Sequence, residues 1–243
     1  MIASLREFRH GWCFYVNVET AAGVVLIVAP LWFNANFAML ARRFEYPGVL
    51  RRPTSEILER FRAGGSALII LWWAFMLSGP LLITGAVLLG QALGFEGIVP
   101  LATIFGVLAG LVQMLGLLRW VYLVPVLART YADPSLTPDQ REVQAAIFRA
   151  LHQYLGVGVG EHLGYLFTGI WSILIGVGVI QGTALPTWLG WPGVLIGAGL
   201  VAGSAEFLGP NEERGWDLGG VAIPNLYIAW SVWLLAMGIA LIA

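Results

Sequence analysis

The chain has 243 residues, 58% of them hydrophobic and only 11% charged. A soluble domain carries about a quarter charged residues, and so few could not cover the surface of one this size, so a water-soluble fold is excluded. The net charge of −1 also excludes the basic surface that a nucleic-acid partner demands.

The expected fold is all-α: a polytopic transmembrane helical bundle of six spanning helices, one integral membrane domain over 1–243. A spanning helix needs about 20 mainly apolar residues. Six stretches supply them, at about 14–40, 66–89, 98–127, 154–180, 188–207 and 221–243. Helices satisfy their own backbone in lipid, and no alternating pattern suggests a barrel. Cys13 is the single cysteine, which excludes an intrachain disulfide or a thiolate metal cluster. All 13 basic residues are arginine, which reads as composition bias rather than chemistry.

In chain order, residues 1–13 read as a surface leader without a small-residue cleavage pattern. The first span holds Asn17 and Glu19 near its start; Glu19 is expected to reach the headgroups or to be protonated by desolvation. The first loop contains RRPTSEILERFR, residues 51–62. Its acids near the start and arginines near the end suit a short helix. Ile57, Leu58 and Phe61 are expected to lie on the membrane, with the arginines either touching anionic lipid or simply marking the side. The third span contains Gln113 and Arg119. Thr137-Pro138-Asp139-Gln140 is a capping box, so a cytoplasmic helix is expected from Pro138 through Phe148 towards His152. Gly156, Gly158 and Gly160 then offer a bend or a close helix approach. Trp188 and Trp191 in the fourth loop suit the interfacial aromatic belt, and Glu206 is expected at the interface.

The fourth span is the most informative. At about 100° per residue, Tyr154, Gly158, Glu161, Tyr165, Thr168, Ser172 and Gly176 share one narrow arc. Val159, Leu163, Leu166, Ile170, Ile173, Leu174 and Val177 share the opposite one. The polar arc suits other helices or a water-filled pocket and the apolar arc suits lipid. Ionisable groups at membrane depth cost about 2.5–3.5 kcal/mol each, so each needs a partner or a purpose. Arg119 and Glu161 should lie at similar depth on consecutive antiparallel helices. They are expected either to pair as a link between helices or to hold a ligand or proton. The candidate ligand-binding set is Arg119, Glu161, His162, Tyr165, Thr168 and Ser172.

The histidines are His10, His152 and His162. The last two lie about 15 Å apart along one helix, so they cannot hold one haem together; haem through His162 needs a partner from elsewhere. Neither HEXXH nor GxSxG occurs, and the aspartates lie in loops, so no catalytic set and no metal set is expected.

Ten arginines fall in loops one, three and five, against Arg6 and Arg9 on the other side. The positive-inside rule places those loops in the cytoplasm and both termini outside. The segments GEHLGYLFTGIWSIL, LPTWLGWPGVLIGAGL and SAEFLG, within Tyr154–Gly209, resemble an uncharacterised bacterial membrane family known only as a domain of unknown function of the 4386 type. That resemblance implies a multi-helix protein of a bacterial cytoplasmic (inner) membrane and transfers no activity.

Three readings of function stay open. One is a structural or partner-binding membrane subunit, associating with other subunits or with itself in the lipid bilayer. Another is a small transporter or ligand-binding protein using the stripe around Glu161. The last is a membrane enzyme or haem protein using His162. Very small loops and the lack of a catalytic or nucleotide motif lean away from an enzyme.

Overall fold

The computed structural model describes residues 17–211 and 216–243. The expected leader, Cys13, Arg6, Arg9, His10 and Arg214 lie outside the described residues. Those described form helices and no strand. Six helical segments are long and apolar enough to span a membrane: Val18–Phe44, Thr54–Ala92, Val99–Tyr131, Pro138–Gln181, Thr187–Phe207 and Ala222–Ile242.

The first span is one helix, α1 (Val18–Phe44). Asn17 caps it by accepting from the Glu19 amide, and Glu19 accepts in return from the Asn17 side chain at 3.1 Å. The exposed Glu19 is therefore part of a cap that satisfies first-turn donors. The second span is α2 (Thr54–Met76) followed by α3 (Ser78–Ala92). Gly65 interrupts α2 at φ 55°, ψ −154°, a conformation open to glycine alone. It separates a loop helix from the span proper. The third span runs through α4 (Val99–Leu118), a π-helical turn (Arg119–Leu123) and α5 (Val124–Tyr131). The fourth starts at the expected capping box: Gln140 N donates to Thr137 Oγ1 and Thr137 N to Gln140 Oε1. It runs as α6 (Pro138–Leu151), a π-helical stretch (His152–His162) and α7 (Leu163–Gln181). The fifth is α8 (Gly190–Gly203) with short 3₁₀ turns at Thr187–Leu189 and Ser204–Phe207. The sixth is α9 (Asp217–Ile242).

The spans close into a ring in chain order. α1 packs on α3, α3 on α4, α4 on α7, α7 on α8, α8 on α9, and α9 returns to α1. Glycines set the approach. A Cβ on Gly176 would stand 2.5 Å from the Gly190 carbonyl oxygen, and one on Gly79 would stand 2.7 Å from that of Gly110. Small residues of this kind let helix backbones touch, which is how helices associate without a hydrophobic drive between them.

Two apolar cores divide the bundle. One contains Leu26, Leu82, Leu89, Val99, Trp171, Ile175, Leu200 and Trp233, drawn from all six spans. The other contains Phe44, Ile57, Leu58, Phe61, Trp72, Trp120 and Phe148, drawn from the first four. Ile57, Leu58 and Phe61 are buried. They do not lie on the membrane as the sequence suggested: the loop helix turns its apolar face onto Phe44, Trp72 and Trp120, which cover it better than lipid headgroups would. Its arginines are likewise engaged, with Arg52 and Arg60 bridging Glu45 and Glu56 at 2.6–2.9 Å.

Candidate functional site

Between the two cores lies a polar layer, and the second, third and fourth spans lose regular α-helix within it, while the first carries a proline. Pro30 stands inside α1, α2 gives way to α3 at Leu77, and π-helical backbone begins at Arg119 and at His152. Isolated π turns are found mostly at functional sites; here two face each other. A Cβ on Gly116 would stand 2.5 Å from Gly160 Cα, so the end of α4, just before its own π turn, meets the π stretch of the fourth span.

Arg119 is 4% exposed. Its Nη1 donates to the Gly116 carbonyl and its guanidinium carbon sits 5.3 Å from the Trp120 ring centroid. Gly156 makes the space: a Cβ there would stand 2.7 Å from Cζ. Nε has no hydrogen-bond partner. Trp120 stacks on Trp72 at 4.6 Å, so the cation is wedged against the aromatic core.

Glu161 lies within electrostatic reach of Arg119, but the two form no ion pair within 4.0 Å among the described residues. The expected contact pair is replaced by two charges with a gap between them. Arg119 spends its reach on Gly116 and Trp120, and the wide π stretch directs Glu161 elsewhere. Glu161 is half-buried. No hydrogen bond to its carboxylate occurs among the described residues.

The charge of Glu161 is felt at three tyrosines, Tyr46, Tyr165 and Tyr227. They belong to a continuous arc of six half-buried rings. Tyr46 meets Phe37 at 5.6 Å, Phe37 meets Phe33 at 6.2 Å, and Phe33 meets Tyr227 at 6.1 Å. Tyr227 meets Tyr165 at 5.3 Å and Tyr165 meets Phe207 at 5.2 Å. Spans one, four, five and six all contribute, together with the loop after α1.

Thr168 and Ser172 are fully buried and carry the polar line inward. Gln113 Nε2 donates to Thr168 Oγ1 at 3.1 Å, and the Tyr227 and Thr168 hydroxyls share a hydrogen bond. Ser172 donates to the Thr168 carbonyl at 2.8 Å and accepts from the Trp230 indole at 2.9 Å. Beside them a crevice of about 20 Å³ is lined by Pro30, Phe33, Ser78, Gln113, Tyr227 and Trp230, room for about one water molecule.

The structure thus gathers Glu161, Tyr165, Thr168 and Ser172 on one side of the fourth span, with Arg119 across the gap. Tyr154, placed on the same arc from sequence, is instead 68% exposed, because the π stretch turns less per residue than an α-helix and shifts everything before Glu161 out of phase. Gly156, Gly158 and Gly160 lie in that π-helical stretch rather than at a sharp bend. His162 leaves the group: its Nδ1 lies 2.9 Å from the Ser204 carbonyl and pins the 204–207 turn to the π stretch. His152 stacks on Phe148 at 5.4 Å and faces Trp120, so the two histidines have different neighbours. No group of three or more metal-ligating side chains occurs among the described residues. Tyr46, Tyr227, Phe33, Phe37 and Phe207 were not singled out from sequence. Aromatic residues are abundant in this chain, and no local spacing links these five.

A family model described as Domain of unknown function (DUF4386) matches residues 21–238. The match runs through nearly the whole chain, beyond the C-terminal third that carries the visible resemblance. No curated protein and no solved structure matches the chain.

Proposed function

The chain belongs to the DUF4386 family, and we propose that it is an integral membrane protein that binds a small polar solute at Glu161, as a carrier or a receptor would. The observation that carries this reading is a half-accessible carboxylate at membrane depth with no ion-pair or hydrogen-bond partner among the described residues. A charge kept only to join two helices would be paired, since an unpaired one costs several kcal/mol. A structural or partner-binding subunit is therefore the weaker reading, and a haem or enzyme centred on His162 is weaker still, because His152 stands among other neighbours and brings no second ligand to it. Arg119 supplies a compensating charge across the gap, and Tyr165, Thr168 and Ser172 line the path.

The ten-to-two arginine split supports loops one, three and five in the cytoplasm and both termini outside.

The test uses the single native cysteine to advantage. In a Cys13→Ser background, Tyr165→Cys and Tyr227→Cys should react with a water-borne methanethiosulfonate, whereas Ile170→Cys on the lipid side should not. Silence at both site positions in folded protein would overturn the reading.

A further inference from the structure

We propose that the occupant is a small organic cation of the alkylammonium kind, and that it reaches Glu161 past Glu206. This rests on the binding reading above and names the class of solute.

The sign of the free charge decides first. Arg119 is enclosed: Nη1 donates to the Gly116 carbonyl, Cζ lies 5.3 Å from the Trp120 ring centroid, and a Cβ on Gly156 would meet the guanidinium at 2.7 Å. An anion could not take its planar fork without dislodging these contacts. Glu161 is the group left open, and it is negative.

The walls decide next. The faces of aromatic rings carry negative charge and attract cations within about 6 Å. Six half-buried rings in series, three of them within the field of Glu161, make a surface suited to an alkylated cation. A bare metal ion would want several oxygen ligands, and no group of three or more His, Cys, Asp or Glu side chains that could hold one occurs among the described residues.

The way in decides last. Glu206 sits on the 204–207 turn, half-buried, and its charge reaches Glu161. His162 holds that turn against the π stretch. Two carboxylates in sequence, one on the turn and one within, favour entry of positive solutes. Arg51 lies within electrostatic reach of Glu206 and moderates the field there. The crevice beyond Gln113 is only water-sized, so the cation stops at Glu161.

The experiment compares thiol reagents of opposite charge on the full chain in vesicles. In the Cys13→Ser background, Tyr165→Cys and Phe207→Cys are each treated with trimethylammonioethyl or sulfonatoethyl methanethiosulfonate, normalised to Ser135→Cys in an exposed loop. The cationic reagent is expected to react about tenfold faster, Glu161→Gln is expected to cut the preference at Tyr165→Cys to the smaller share that Glu206 contributes, and tetramethylammonium is expected to slow the labelling. Equal rates, an anionic preference, or a preference unchanged in Glu161→Gln would overturn the cation while leaving an aqueous binding site in place. No reaction with either reagent would overturn the site itself, and the cation with it.

Discussion

The two cores of this bundle are built on opposite rules. Around Trp171 and Ile175, regular α-helices press together on glycines, so that a Cβ on Gly106 would stand 2.7 Å from the Trp171 ring. Around Trp72 and Trp120, wide aromatic side chains fill the space, and the backbone along the border includes a helix break and two π-helical stretches. The first arrangement leaves little room for polar atoms. The second tolerates Arg119 because Gly156, in the π stretch, leaves the space that its guanidinium fills. Close packing gives the bundle its closure, and loosened packing gives it a site.

The strongest way to break this comparison is to place equal insults in the two regions. Gly176→Ala would set its Cβ 2.5–2.9 Å from the Gly190 carbonyl oxygen and the Val194 backbone nitrogen. Overpacking against backbone that cannot move should cost about 3 kcal/mol or more. Gly158→Ala, in the π stretch, would meet only the Gln153 carbonyl at 3.6 Å and should stay within about 0.5 kcal/mol of wild type. Thermal unfolding in mild detergent reads both. Equal losses would mean that the two regions are equally tight.

The next effect in size concerns the separated charges. Arg119→Leu removes a charged hydrogen bond and a ring contact and leaves Glu161 uncompensated; about 3 kcal/mol is expected. Glu161→Gln breaks no contact among the described residues and removes an unpaired charge, so it should leave stability unchanged or raise it. The double variant should recover part of the Arg119→Leu loss, and the cycle measures the coupling across the gap. A Glu161→Gln loss as large as that of Arg119→Leu would mean that the two behave as a contact pair.

That contrast also marks what the sequence made legible. Six spans were readable because apolar runs of membrane length leave few alternatives, and Glu161 and Arg119 stood out because charges within such runs are rare. The capping box at Thr137 fixed the start of α6 by local chemistry alone. The π stretch was not readable. It lies against Gly116 and Arg119 of the neighbouring span, a contact between two helices that no single window of sequence shows, and it moved Tyr154 off the shared face. The loop helix was misjudged for a related reason: an apolar face on Ile57, Leu58 and Phe61 suits lipid and protein equally, and only the aromatic cluster beneath it decides. Tyr46 and Tyr227 reach the site from opposite ends of the chain, so no window of sequence could join them.

The smallest expected effect tests how the aromatic region treats its exposed acids. Glu45, directly after α1, receives Arg60 and Arg52 at 2.8 and 2.6 Å and is half exposed. The hydrogen bond from Arg60, opposed by partial desolvation and aided by the charge of Arg52, holds its carboxyl below the usual 4.5. A carboxyl depressed in the folded state adds stability at pH values above its unfolded value, and that contribution is lost as pH falls through the lower folded value. The melting temperature of wild type should therefore exceed that of Glu45→Gln near neutrality by a small margin, since solvent-exposed networks are weak. The margin should shrink towards zero on acidification below about pH 4.5 and on raising salt, which screens it. A margin that grew in acid would mean that Glu45 is held by something other than its arginines. Such a result would also undo the contrast between the exposed acid that the loop pairs and the deep one, Glu161, that the bundle leaves open.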